Sequence, residues 1–176
     1  MSLSQVQKLA AQTVVAVGEG RNLADELASL LRAHPDLSPQ DKGMLQDLAY
    51  GVQRYAGSLK FMLGRMLNSP LSNPQLEALL LVALYQLAYT RNAPHAVVNE
   101  AVAQIARIGR GQYRSLANAL LRRFLREQEK LQAAARRDDT AKYNLPAWLL
   151  AYLQNRYPKH WHNIATAFQS HPPLTL

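Results

Sequence analysis

Apolar residues recur every three or four positions along almost the whole chain, the spacing of one face of an α-helix, and no stretch alternates convincingly in the two-residue rhythm of a strand. Val6, Leu9, Ala10, Thr13, Val14 and Val17 form the first stripe. A helix is therefore expected over residues 4–17, ended by Gly18 and Gly20. Asn22 then caps a second helix, with Asp25 and Glu26 in its first turn, that stops before Pro35. Ser38-Pro39 is a cap followed by proline at the first helical position, where the missing N–H has no partner to lose. It opens a third helix presenting Met44, Leu45, Leu48, Val52 and Tyr55. Gly57 is expected to break or bend that helix, and Leu59, Met62, Leu63 and Met66 continue the stripe.

Asn73-Pro74 repeats the cap-then-proline start. The helix it opens, to about residue 89, is apolar on nearly every side, as a helix enclosed by others would be. The next, over residues 95–108, is expected to bury Val98, Ala101, Val102 and Ile105, with His95 at its start. Gly109-Arg110-Gly111 separates it from a long helix beginning near Gln112, whose expected core face is Tyr113, Leu116, Leu120 and Phe124. Residues 127–143 are poor in large apolar side chains and are expected to form an exposed helical extension and a linker. Two short helices are expected over residues 146–156 and 158–169. Trp148, beside Leu145, Leu149 and Leu150, is assigned to their core. His171-Pro172-Pro173 and the residues after them are expected to be extended chain, as before a strand. The fold class is all-α.

Charge changes this picture. Residues 1–88 hold seven Lys/Arg and seven Asp/Glu, whereas residues 89–176 hold thirteen and five, so the whole formal charge of +8 falls in the second half. Such asymmetry favours a polyanionic partner. Arg107, Arg110, Arg114, Arg122, Arg123 and Arg126 lie within twenty residues with no acid among them. Guanidinium groups fork onto phosphates and stack on bases, so these six are the candidate RNA contacts. The plainer alternative is a solvated face balanced by Glu127 and Glu129. Lys8 and Arg91 are secondary candidates. Asn99, Glu100 and Asn118 are expected to be structural, satisfying a neighbouring helix end or loop.

The chain has no cysteine, which removes disulfides, thiolate metal sites and a cysteine nucleophile from these residues. His160-Trp161-His162 lacks metal-site geometry, because residues two apart point away from each other on a helix. No P-loop or Gly-x-Ser-x-Gly pattern occurs, and Gly109-Arg110-Gly111 is too short for a dinucleotide loop. The longest charge-free apolar run is shorter than the roughly 20 residues a bilayer needs, and the first residues lack a signal-peptide core. A cytoplasmic protein is expected.

Three segments carry a family resemblance: Tyr50-Gly51-Val52, Val98-Asn99-Glu100-Ala101-Val102, and Ser115-Leu116-Ala117-Asn118-Ala119-Leu120-Leu121-Arg122. Their spacing resembles the NusB-like RNA-binding domain over residues 4–126, which implies two three-helix bundles packed across each other. Leu145-Pro146-Ala147-Trp148-Leu149, Tyr157-Pro158 and Pro172-Pro173-Leu174 resemble the region before the catalytic domain of bacterial 16S ribosomal RNA cytosine-5 methyltransferases of the RsmB/Sun/Fmu family. The implied organisation is an RNA-binding domain (1–127), a linker or exposed helix extension (128–143), and the start of the methyltransferase's N-terminal subdomain (144–176). The resemblance also implies S-adenosylmethionine as cofactor of the full-length enzyme. It implies 16S ribosomal RNA and the chain's own downstream domain as partners, with no membrane or metal, and a catalytic cysteine pair outside these residues. The alternatives are a NusB-type transcription antitermination factor, binding boxA-like RNA with a ribosomal protein, and a helical module that docks only on the catalytic domain.

Overall fold

The computed structural model describes residues 3–169, and the extended segment expected after His171 lies outside them. Among the described residues there are only helices and their connections. They are α1 (Leu3–Gly18), α2 (Leu23–Ala33), α3 (Pro39–Arg54), α4 (Ala56–Met66), α5 (Pro74–Tyr89), α6 (Pro94–Ile105), α7 (Arg114–Ala135), α8 (Asp139–Tyr143), α9 (Ala147–Arg156) and α10 (Trp161–Ala167), with a 3₁₀ turn at Gly109–Gly111. The all-helical class holds. The caps are the ones the sequence marks. Asn22 accepts from the amides of Ala24 and Asp25, Ser38 from Asp41, and Asn73 from Leu76. Gly20, at φ +91°, closes α1, where the Arg21 amide reaches back to the Ala16 carbonyl at 3.0 Å. That is the left-handed helix stop that glycine alone adopts without strain.

α5 is the centre. It packs against α1, α3, α4, α6 and α7. Leu80, Val82, Ala83 and Leu84 are all sealed from solvent, which is why its sequence has no polar face. α1, α2 and α3 pack on one another, α7 packs on α4, α5 and α6, and α1 also packs on α6.

Two amides sit inside this core. Gln7 Nε2 donates to Gln86 Oε1 at 2.7 Å, joining α1 to α5, while Gln7 Oε1 and Gln86 Nε2 have no hydrogen-bond partner. Such a pair joins helices in one register yet leaves desolvated atoms unsatisfied. Gln86→Leu alone leaves the Gln7 Nε2 only its long bond to the Val97 carbonyl, 3.4 Å away, and is expected to cost about 1 kcal/mol. Gln7→Leu/Gln86→Leu together should recover at least half of that. Urea unfolding of the two single variants and the double checks it, and strictly additive losses would contradict the pairing.

Several expectations are corrected. Leu116 is 38% exposed, because the core stripe of α7 runs Ala117, Leu120, Leu121, Phe124, Leu131 and Ala135 and leaves Leu116 outside it. α7 starts two residues later than expected, so Tyr113 is its N-cap and only half-buried. On α6, Val97 and Gln104 take the buried places beside Val98, Ala101 and Ile105, and Val102 is half-buried. Residues 127–143 do not form an exposed extension. α7 continues to Ala135, and Leu131, Ala135 and Ala141 join the main core. Gln128 Nε2 donates to the Leu87 carbonyl at the end of α5, 3.5 Å away. Small alanines do this packing, which a search for large apolar residues passes over. Trp148 is 72% exposed, not core. The satellite cluster beneath α9 and α10 is built instead from Tyr143, Leu150 and Ala165, with Leu145 and Trp161 packed on it. His162 Nδ1 lies 3.0 Å from the Tyr143 hydroxyl.

Candidate nucleic-acid interface

Arg107, Arg110 and Arg114 gather where α6 hands over to α7, and Arg122 and Arg126 follow along α7. After α6 the backbone enters the left-handed region at three consecutive residues: Gly109 (φ +57°), Arg110 (φ +57°) and Gly111 (φ +88°). Two glycines adopt this freely, and Arg110 does so at an energetic cost. The turn is held by the Gly111 amide donating to the Ile108 carbonyl at 3.2 Å. It lifts Arg110 into solvent at the amino end of α7, a 22-residue helix with no side-chain cap. Uncapped N–H groups and the helix dipole make that end favourable to anions, and Arg114 opens it.

Along α7 the successive residues turn by about 100° each, so Arg114, Arg122 and Arg126 spread over roughly 120° of arc. All three are exposed. Arg122 lies along the helix, its Nε donating to Asn118 Oδ1 at 3.0 Å. Asn118 therefore steadies an arginine on its own helix and does not satisfy a neighbouring one, contrary to expectation. Asn99 is exposed and also lacks the inward role assigned to it.

Arg123 is placed differently. Its Nη1 donates to the Met66 carbonyl at the end of α4 (3.2 Å) and its Nε to Glu127 (3.2 Å). It ties α7 to α4, and that geometry already occupies much of its fork. Lys8 and Arg107 come together from distant parts of the sequence. Both line a cleft of about 800 Å³ between α1, α2, the start of α5 and the end of α6, whose apolar floor includes Val15, Leu79 and Ile108. Arg21 lines it too, but is held by Glu19 at 3.4 Å and Glu26 at 3.2 Å. Lys8 and Arg107 have no such acid among the described residues. Arg91 stands apart, at the far end of α6, a helix of twelve residues and hence about 17 Å long.

Thus Lys8, Arg107, Arg110, Arg114, Arg122 and Arg126 are accessible around α6 and α7, Arg123 is largely structural, and Arg91 belongs to the opposite end. Sequence reasoning missed the cleft itself. Gln104, polar on an apolar stripe, was its one local signal; it lines the cleft and donates to Ser4 Oγ at 2.6 Å. No group of His, Asp, Glu or Cys among the described residues could hold a metal ion.

The scaffold is that of a helical domain class with known relatives. Residues 4–126 match the NusB family, and the chain belongs to it. Over 174 residues, 97% of the chain, it is 38% identical to ribosomal RNA small subunit methyltransferase B of Escherichia coli O127:H6. The same identity and coverage hold for the proteins of that name from Shigella boydii serotype 18 and Escherichia fergusonii. The chain spans about 40% of the length of these relatives, and corresponds to their N-terminal part.

Proposed function

We propose that this chain is the RNA-gripping N-terminal region of an S-adenosylmethionine-dependent methyltransferase that makes 5-methylcytidine in 16S ribosomal RNA. The exposed arginine face at the α6–α7 junction carries the reading. It sits on a NusB-family scaffold whose similar proteins are named as small-subunit ribosomal RNA methyltransferases. Modifying a base requires extruding it from its stack, at a cost of a few kcal/mol. A domain that holds neighbouring phosphates keeps the RNA in place while that happens. The described residues contain no strand followed by a Gly-rich loop, and the chain contains no cysteine. S-adenosylmethionine and the cysteine that adds to the pyrimidine ring are accordingly assigned to the rest of the longer protein. No described helix is long and apolar enough to cross a membrane.

The test is methyl transfer by the full-length protein to 16S RNA, with the product nucleoside identified by mass spectrometry. We expect 5-methylcytidine, together with RNA binding but no S-adenosylmethionine binding by the 176-residue chain. A full-length protein that transfers no methyl group, paired with a chain that binds boxA-like RNA more tightly when a ribosomal protein is added, would replace this reading with the antitermination one.

A further inference from the structure

At the other end of α5 from the Lys8–Arg107 cleft lies a second surface, which the arginine face does not use. Tyr55 occupies the junction between α3 and α4, and Tyr85 and Tyr89 lie one turn apart at the end of α5. The Tyr55 and Tyr89 rings are stacked, centroids 4.1 Å apart and 13° from parallel, with Tyr85 5.7 Å from Tyr89. Tyr85 is the buried foot of the stack. Its hydroxyl donates to Asp47 at 3.1 Å, and Gly51 leaves room for its ring, since a Cβ there would fall 2.0 Å from it. Tyr89 is the outer member, 38% exposed.

Two adjoining cavities of about 340 and 360 Å³ meet at Tyr55. One is walled by Tyr89, Arg136 and Lys142, the other by Tyr50 and Arg54. Tyr50 is 49% exposed. Among the described residues no Asp or Glu lines either cavity. The acids placed nearby are both engaged: Asp138 accepts from the Ala141 amide at 2.9 Å and from the Thr140 hydroxyl, capping α8, and Asp47 accepts from Tyr85. Flat aromatic faces, cations at the rim and no carboxylate in the walls are the composition that binds single-stranded nucleic acid. There, bases stack irrespective of sequence and cations follow the backbone.

We infer that this tyrosine-walled groove is a second RNA contact, taking unstacked bases of a single strand with their phosphates on Arg54, Arg136 and Lys142. It rests on the reading that the domain binds RNA, and adds a site and a strand state to it. α5, with sixteen residues, keeps the groove and the cleft about 20 Å apart. One RNA can touch both only by extending across the molecule. The division of labour follows from chemistry: arginines on α7 hold phosphates of any conformation, whereas a stacking wall accepts only bases already freed from a helix.

The test uses the 176-residue chain, a fluorescein-labelled eight-nucleotide single strand, and a hairpin RNA of equal charge. Tyr50→Ala and Arg136→Gln change exposed side chains, so both proteins should melt with the unaltered chain. Each is expected to weaken the single strand about fivefold or more, the lower end of a base-stacking contribution, and to leave the hairpin within twofold. A 4-thiouridine-substituted strand should crosslink to Tyr50, Tyr55 or Tyr89. Full single-strand affinity in both variants, with crosslinks confined to residues 107–126, overturns the groove and leaves the arginine face standing. An unaltered chain that binds neither RNA overturns the RNA-binding reading itself.

Discussion

Reversing two charges, Arg114→Glu with Arg122→Glu, is expected to lower RNA affinity about a hundredfold at low salt and to flatten its salt dependence. Both side chains are exposed on α7, and neither makes an ion pair among the described residues. Their replacement therefore removes surface charge without opening the core. Each phosphate contact on a single strand contributes roughly 0.7 to the slope of log affinity against log salt, so losing two should make the slope shallower by about 1.4. The new carboxylates add repulsion, which is why reversal exceeds neutralisation. Anisotropy titrations from low to high salt give affinity and slope together. Arg123→Gln is the informative contrast. Its guanidinium binds the Met66 carbonyl and Glu127, so its loss should lower the melting temperature more than the slope. An unchanged slope in the double-reversal protein would remove α7 from the interface.

The fold was far more legible than the site, for physical reasons. Helix starts announce themselves locally, because Asn22, Ser38 and Asn73 must satisfy amides two or three residues away. The enclosed position of α5 was equally visible in its lack of a polar side. Long-range features were not. Lys8 and Arg107 share a cleft, and Gln7 meets Gln86 79 residues away, through packing that no local window contains. Trp148 shows the converse failure: its neighbours in sequence were leucines, but on α9 it is Leu150 that faces inward while the indole faces out. Arg123 and Arg122 are adjacent, yet about 100° apart around α7. One is drawn to a carbonyl of α4 while the other stays in solvent. The Tyr85–Tyr89 spacing was a readable hint of a stack, whereas Tyr55 joins it only through the fold.

Gly57 was expected to break or bend the third helix, and the structure gives it another task. The break falls at Tyr55, and Gly57 is the second residue of α4. There the chain around α8 comes so close that a Cβ on Gly57 would stand 2.4 Å from the Thr140 carbonyl oxygen and 2.9 Å from Asn144 Cα. Both neighbours are backbone and cannot swing aside. They are also pinned: Asn144 Oδ1 accepts from the Ser58 amide at 2.8 Å, and the Ser58 hydroxyl donates to the Ala141 carbonyl at 2.8 Å. Two effects oppose each other in Gly57→Ala. Alanine is favoured over glycine by about 1 kcal/mol in a helix interior, and by no more than that in the first turn where Gly57 stands. Forcing apart two packed backbone segments costs about 3 kcal/mol and breaks the Ser58 bonds as it does so. The clash wins, for a net destabilisation of about 2 kcal/mol, or roughly 5 °C in melting temperature for a chain of this size. Hydrogen exchange should show residues 139–144 losing protection while α1 and α5 keep theirs, because only α8 is displaced. A variant that melts higher than the unaltered chain would mean that helix propensity prevails and that α8 does not dock tightly on α4. Residues 127–143 would then be the loose extension that their composition first implied.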